Sequence, residues 1–351
     1  MVIKKIVLLS PKIKLGGVSS FVENILPFFV DPVNLFYRGK REKNESLIIS
    51  IFSFFFYPLA YFIYLLKEKP DRIVINTSLS KYCLIRDGVF VLISKILRKK
   101  VLLIVHGFQE KALKHHFLLK YGYFKSDSII LLSKKYKNSF KEAGYQGKLS
   151  TQWNPVSKNL IEECKKLKCN FEKQINILFL SRIEKNKGIF TSLVAFNILQ
   201  NKHSNLFFKI AGTGQSIEEA MKFVKENKID NVEFLGYVKG YDKIQLLKEC
   251  NIFLFPTQHN EGLPINVLEA MTAGQIIITR PVGGLVDLYE KCDFGFLISS
   301  TKAEDYANAI AEILKNKEKF LKISANNAKF AQENFHPKKI TQNIECILRN
   351  L

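Results

Sequence analysis

Several features that would class a sequence quickly are scarce or missing here. The 351 residues include one tryptophan and three methionines, and the six cysteines form no paired framework. Cys164 and Cys169 flank lysine-rich sequence and lack the His or Cys partners that a zinc site needs, so all six read as free thiols of a reducing compartment. No Asp-x-Asp occurs, and no His, Cys and carboxylate cluster stands at ligand spacing, so nothing asks for a metal. There is no G-x-G-x-x-G, no repeat of solenoid period, no low-complexity tail and no recognised nucleic-acid motif. Met1-Val-Ile-Lys-Lys leads straight into an apolar run, unlike a secretory signal.

Acidic residues are also scarce: 32 against 53 lysines and arginines, a net charge of +21. Residues 1–150 carry 26 basic and 10 acidic residues, whereas 151–351 carry 27 and 22. The first half is therefore the basic half. A nucleic acid, an anionic membrane or a phosphorylated substrate would each suit such a charge, as would a merely lysine-rich composition.

What is present is an alternation. A length of 351 residues and an apolar content of 47% suit two ordinary globular domains. Short apolar runs at 4–10, 33–37, 71–76, 100–106, 129–132 and 148–153 read as strands, with helical patterns between most of them. Asn154-Pro155-Val156 interrupts the series, and a polar helix at 159–170 follows. The alternation restarts with strands at 175–180, 206–210, 232–235, 252–255, 275–279 and 296–298, and helices from 303 onward close the chain. Two doubly wound α/β domains facing a central cleft are expected, with strand C-terminal ends toward it. The expected boundaries are 1–156, a linker at 157–174, 175–335, and a C-terminal helix at 336–351 packing back on the first domain.

Residues 47–66 form an uncharged run of twenty, LIISIFSFFFYPLAYFIYLL, which is long enough to span a membrane. Pro58, two serines, three tyrosines and flanking strands of one sheet argue instead for a helix partly buried on the sheet. Such a helix could dip into a membrane surface beside the basic loop 38–43.

The most informative stretch is 251–273, NIFLFPTQHNEGLPINVLEAMTA. It reads as strand, polar loop and helix, with Pro264 in the first helical turn, Glu261 at the loop–helix junction and Glu269 about two turns in. At ~1.5 Å per residue the carboxylates lie roughly 10–12 Å apart along the axis. Backbone N–H groups at the helix start, near Leu263 and Pro264, could bind an anion between them. A ligand with hydroxyls at both ends and a charged middle fits; so does an ordinary buried βα unit with two solvated carboxylates. Arg182 and Lys187 follow the strand at 175–180 and could neutralise a diphosphate, the arginine as a fork and the lysine as a point charge. Gly16-Gly17 makes a turn between a strand and a helix that runs from a Ser19 or Ser20 cap through Phe29, and His106 ends another strand. Both positions suit ligands, and both have ordinary structural readings.

Three motifs carry a family resemblance: S-R-I-E-K-N-K-G at 181–188, E-G-L-P-I-N-V-L-E at 261–269 and P-V-G-G at 281–284. With them the second half resembles the donor domain of retaining GT-B glycosyltransferases of family 4. The first half resembles its partner more loosely, through Gly16-Gly17, His106-Gly107 and Asn154-Pro155. The resemblance implies a nucleotide-diphosphate sugar as donor substrate, no metal, and transfer with retention to a polysaccharide or lipid-linked glycan. It implies Glu261 on the sugar hydroxyls, Glu269 on the ribose, and Arg182 with Lys187 on the diphosphate. It implies Gly236, Tyr237 and Val238 near the base. Gly212, just past the strand at 206–210, is expected to face the cleft as part of the donor site. Backbone of Gly262, Leu263, Pro264 and Ile265 would meet sugar and phosphate. His106 would lie near the donor sugar, and Gly16 and Gly17 near phosphate and acceptor. One departure is Asp287, where the family usually carries Glu. A cytoplasmic enzyme peripheral to the inner face of the plasma membrane, touching anionic lipid and no nucleic acid, is the expectation. A nucleotide-sugar epimerase of the same fold and a non-catalytic sugar-nucleotide binder are the competing readings.

Overall fold

A computed structural model describes the chain apart from residues 1, 2, 4, 13–15, 39–46, 168, 172 and 173, and describes residues 47–55 by backbone alone. Lys4 at the expected start of the first strand, the residues just before Gly16 and the basic loop after Arg38 lie outside the described residues.

The first elements in chain order are β1 (Ile6–Pro11), α1 (Gly17–Ile25), β2 (Val33–Arg38), α2 (Leu47–Glu68), β3 (Arg72–Leu79), α3 (Lys81–Ile96), β4 (Lys100–Phe108), α4 (His116–Tyr121), β5 (Ser128–Leu131), α5 (Lys134–Glu142) and β6 (Lys148–Thr151). There follow α6 (Lys158–Cys164), β7 (Ile175–Leu180), α7 (Ile189–Gln200), β8 (Leu206–Ala211), α8 (Ile217–Glu226), β9 (Val232–Gly236), α9 (Gly240–Glu249) and β10 (Ile252–Phe255). The last are α10 (Ile265–Thr272), β11 (Ile276–Thr279), α11 (Leu285–Tyr289), β12 (Gly295–Leu297), α12 (Ala303–Lys315), α13 (Lys317–Asn334) and α14 (Pro337–Arg349). The chain forms two compact units: Met1–Pro155 with Asn260–Leu263 and Pro337–Leu351, and Val156–His259 with Pro264–His336.

The first unit holds a parallel sheet of order β2-β1-β3-β4-β5-β6. Its central strands are nearly continuous apolar runs, as strands covered on both faces must be. Successive side chains go to opposite faces. Val7, Leu9, Ile73, Ile75, Val101 and Leu103 meet Tyr61 and Leu65 of α2, Leu84 and Phe90 of α3, and Leu119 of α4. Ile6, Leu8, Val74, Leu102 and Ile104 meet α1 and α14 on the other face. The α14 residues there are Ile340, Ile344 and Leu348, spaced by four; burying each contributes about 1.5–3 kcal/mol. Glu345 of α14 accepts the Val30 and Asp31 N–H groups at 2.8 and 2.9 Å, and Arg72 Nε donates to the Leu348 carbonyl at 2.8 Å.

Two local expectations are corrected. Helix α1 begins at Gly17 with Gly16 (φ 101°) as its cap, so Ser19 and Ser20 lie inside the first turn. The left-handed backbone at Gly16 suits glycine and would strain a serine. The helical pattern expected to reach Phe29 stops at Ile25, because Pro27 leads a 3₁₀ turn, Leu26–Phe28.

The second unit holds a parallel sheet of order β12-β11-β10-β7-β8-β9. The chain winds from β7 outward to β9, then restarts on the other side of β7 with β10. Helix α6 falls within the stretch read as a linker and packs on α9 and α10, burying Leu160, Ile161 and Cys164.

Candidate functional site

A doubly wound sheet opens a crevice where its winding reverses, at the carboxyl ends of the two strands concerned. In the second unit those strands are β7 and β10. Arg182 and Lys187 follow β7, and the stretch from Pro256 follows β10. Gly212, beyond β8, and Gly236, ending β9, line the same edge, with Tyr237 exposed and Val238 half-buried beside them.

Close backbone approaches hold these loops. A Cβ on Gly212 (φ +142°) would lie 1.8 Å from the Ser181 carbonyl oxygen, and one on Gly214 would lie 2.2 Å from that of Ile183. Ile183 N–H donates to the Thr213 carbonyl and Ser216 N–H to that of Ile183, both at 3.1 Å. Gly188, left-handed at φ +86°, would carry a Cβ 2.4 Å from the Pro256 carbonyl oxygen. Gln258 N–H donates to the Asn186 carbonyl at 2.8 Å. The β7 loop is thus bound to the β8 loop on one side and the β10 loop on the other. Within it Lys187 is buried in a 3₁₀ turn, Lys185–Lys187, while Arg182 is largely exposed and donates to Glu184 at 2.6 Å.

Pro264 (ψ 117°) caps α10 instead of entering it, and Ile265 is the first helical residue. Proline has no N–H, so the first turn's open donors begin at Ile265; Asn266 Oδ1 accepts the Val267 N–H at 3.0 Å. Asn266 Nδ2 donates to the Leu180 carbonyl at 2.6 Å, tying the helix start to the end of β7. Glu269 is buried, and Lys243 of α9 reaches its two oxygens at 2.7 and 2.6 Å. Asp287 is buried in the first turn of α11.

The first unit collects the remaining expected residues. Its winding reverses between β1 and β3, where Gly16 and Gly17 follow β1. His106 sits beside that point near the end of β4. Its Nε2 lies 2.9 Å from Asn76 Oδ1, and its ring meets Phe21 edge-on at 4.6 Å. Asn76 Nδ2 donates to the Leu9 carbonyl at 3.1 Å, and a carbonyl can only accept. Asn76 therefore turns Oδ1 toward the imidazole, and His106 answers with an Nε2–H. Nδ1 is left as an acceptor with no partner among the described residues. Burial drives the His106 pKa down to about 3, so the ring is neutral and serves as a hydrogen-bond partner, not an acid.

Glu261, Gly262 and Leu263 pack with this unit. A Cβ on Gly262 would fall 1.8 Å from the His106 carbonyl oxygen, so only glycine lets the loop lie on the β4 tip. Tyr136 Oη donates to the Glu261 carbonyl at 3.0 Å, and buried Asn154 donates to that of Leu263 at 2.8 Å. Behind Asn76 lies an ionic cluster. Arg38 donates to the Asn76 carbonyl and pairs with Asp87 at 3.2 Å. Arg86 forks onto Asp87 at 2.7 and 2.9 Å, and Thr77 donates to the same carboxylate. Burial alone would raise the Asp87 pKa; the two arginines outweigh it and hold it below the usual value.

Asn76, Tyr136 and Lys243 were not singled out in the sequence. Asn154 was noted only as part of Asn154-Pro155. Among the described residues no group of three or more His, Cys, Asp or Glu side chains could hold a metal ion.

Residues 162–330 match the family model for glycosyl transferases group 1. An uncharacterized glycosyltransferase of Methanocaldococcus jannaschii is 24% identical over 333 residues, spanning 91% of this chain and 90% of that protein. The N,N'-diacetylbacillosaminyl-diphospho-undecaprenol alpha-1,3-N-acetylgalactosaminyltransferase of Campylobacter jejuni is 24% identical over 186 residues, 52% of this chain and 47% of that one. The crystal structure of Anabaena Alr3699/HepE in complex with UDP matches with a TM-score of 0.76 at 18% identity, covering 99% of this chain and all of that one. The architecture is GT-B, two parallel α/β units with flanking helices. Residues 162–330 thus resemble the group 1 glycosyltransferase domain, and the likenesses together support a glycosyltransferase.

Proposed function

We propose that the protein is a retaining glycosyltransferase of family 4. It moves a sugar from a nucleotide-diphosphate donor to a lipid-linked or polysaccharide acceptor in cell-envelope glycan synthesis, at the inner face of the plasma membrane. The observation that carries this reading is the switch point of the second unit. There Arg182, Lys187 and the start of α10 stand on loops locked by backbone-to-backbone contacts at Gly188, Gly212 and Gly214. Preorganised cations and amides are what a departing diphosphate needs, since charge builds on the leaving oxygen and the site should not have to reorganise.

The roles follow by resemblance. Arg182 and Lys187 bind the diphosphate, which makes a metal dispensable. Glu269 holds the ribose hydroxyls, with Lys243 orienting its carboxylate. Gly236 to Val238 meet the base, where Tyr237 offers an exposed ring. Glu261 and the open Nδ1 of His106 accept from sugar hydroxyls, backbone of Gly262 to Ile265 approaches sugar and phosphate, and Gly16-Gly17 lies toward phosphate and acceptor. No carboxylate is assigned as a covalent nucleophile; the leaving phosphate takes the acceptor proton on the face that it vacates. The acceptor side is assigned to residues 1–156 and the donor side to 175–335. UDP in the Anabaena neighbour and the diphospho-undecaprenol acceptor of the Campylobacter relative support a nucleotide-sugar donor and a lipid-linked acceptor.

The test is nucleoside diphosphate release from a panel of nucleotide sugars in the presence of a membrane extract, with and without EDTA. Turnover that persists in EDTA, falls by at least 100-fold in Glu261→Ala and gives a product with the donor's anomeric configuration by NMR supports the reading. An inverted product removes the retaining assignment, and absence of binding or turnover with every donor removes the transferase assignment.

A further inference from the structure

The outward faces of α2 and α3 are apolar where a solvent-facing helix should be polar. On α2, Phe56, Leu59, Ile63 and Leu66 are exposed, spaced by three, four and three residues. On α3, Tyr82, Ile85, Leu92 and Ile96 are exposed, spaced by three, seven and four residues and so on one helical face, and Ile96 is 73% exposed. The inward faces of both helices are anchored in one core through Tyr61, Leu65, Leu84 and Phe90, so the two outward stripes run side by side. Helix α4 packs on α3 and adds Phe117 and Tyr121, both exposed. Scattered exposed apolar residues are ordinary, but aligned stripes on neighbouring helices mark an interaction surface.

The charge around these stripes names the partner. Exposed Lys67 and Lys69 follow Leu66, Lys81 precedes Tyr82, Arg98 follows Ile96, and Lys114 and Lys120 bracket Phe117. The acids between residues 56 and 125 are all engaged. Glu68 pairs with Lys5 at 2.9 Å, Asp71 accepts the Lys5 N–H at 3.0 Å, Asp87 is buried between two arginines, and Glu110 pairs with Lys135 at 2.7 Å. A second copy of the chain would set this cationic rim against itself across a two-fold axis. An anionic bilayer offers apolar depth under the stripes and negative head groups under the rim.

We propose that the outward face of α2, α3 and α4 is a docking surface for an anionic lipid bilayer, into which the two stripes insert without spanning it. Among the described residues no helix is long and apolar enough to cross a membrane. The surface stands independently of the donor chemistry; that it delivers a lipid-linked acceptor rests on the proposed function.

The experiment is flotation with vesicles of phosphatidylcholine alone or mixed with phosphatidylglycerol, at low and high salt. The wild-type chain should float with the anionic vesicles, less so at high salt, and poorly with neutral ones. Leu59→Glu/Ile63→Glu and Ile85→Glu/Leu92→Glu should each weaken binding by at least about tenfold. Met221→Glu, an exposed apolar position on α8 in the other unit, should leave it unchanged. Circular dichroism melts and nucleoside diphosphate affinity, measured on the same preparations, report folding and donor binding separately. Wild-type failure to float with either vesicle overturns the proposal, as do paired glutamates that leave flotation intact in folded protein. A concentration-dependent dimer dispersed by those glutamates, without vesicle binding, overturns it in favour of a self-association face.

Discussion

Replacing Asn76 by leucine tests the hydrogen-bonded chain that orients His106. Leucine keeps the branched shape and the number of heavy atoms and removes both polar atoms. The Leu9 carbonyl then loses the donor at 3.1 Å, and the His106 Nε2–H loses the acceptor at 2.9 Å. Each orphaned group costs about 1–3 kcal/mol, so the variant should lose about 2–6 kcal/mol. Arg38 still reaches the residue-76 carbonyl, so the ionic cluster should persist. Urea unfolding measures the loss, and ¹⁵N-resolved NMR of the imidazole reads the tautomer. The wild-type ring should carry its proton on Nε2 and the variant should show a mixture. The pH dependence follows from the sign of the shift. His106 is lowered from about 6.5 to about 3, so between those values the unfolded chain binds a proton that the folded one does not. Stability should fall as pH drops through that window, by at most about 1.4 kcal/mol per pH unit, and His106→Gln should flatten the slope. A wild-type proton on Nδ1, or unchanged stability in Asn76→Leu, refutes the argument.

Other outcomes follow from the same geometry. Gly262→Ala should cost about 1–3 kcal/mol, read in thermal melts, and weaken donor binding, because its methyl group meets the His106 carbonyl. Asp87→Ala leaves two arginines against a vacant carboxylate position and should cost about 3–5 kcal/mol in urea titrations; the lowered Asp87 pKa means that its contribution holds above the usual carboxylate range and is lost as pH falls below it. Tyr136→Phe removes a hydrogen bond to the Glu261 carbonyl, should cost about 1 kcal/mol, and should raise the KM for donor more than it lowers kcat.

How far the sequence could be read depends on how local each cause was. Strand and helix positions came from short-range periodicity, and most observed elements fall within a few residues of those expected. Helix α11 escaped because five residues carry too little pattern. The reversal of winding at β7 and β10, which sets the crevice, depends on pairing between residues about 75 apart. The importance of glycine at 188 and 212 lies in the backbones of Pro256 and Ser181, which no local motif records. The same holds for Asn76 under His106, Tyr136 under Glu261 and Lys243 on Glu269, separated by 30, 125 and 26 residues. The second-half motifs stood out because resemblance reads residues together that chemistry alone leaves ambiguous. The double apolar stripe needed the helices themselves: composition marked 47–66, but α3 contributes equally and is not unusually apolar in sequence.

The central claim is a nucleotide-diphosphate clamp in the second unit. Calorimetric titration of nucleoside diphosphates into wild type, Arg182→Ala, Lys187→Ala and Glu269→Ala tests it most directly. One nucleoside diphosphate should bind with micromolar affinity, weakened by about tenfold or more in each variant while the fold is retained. Wild-type affinity in all three folded variants would contradict it.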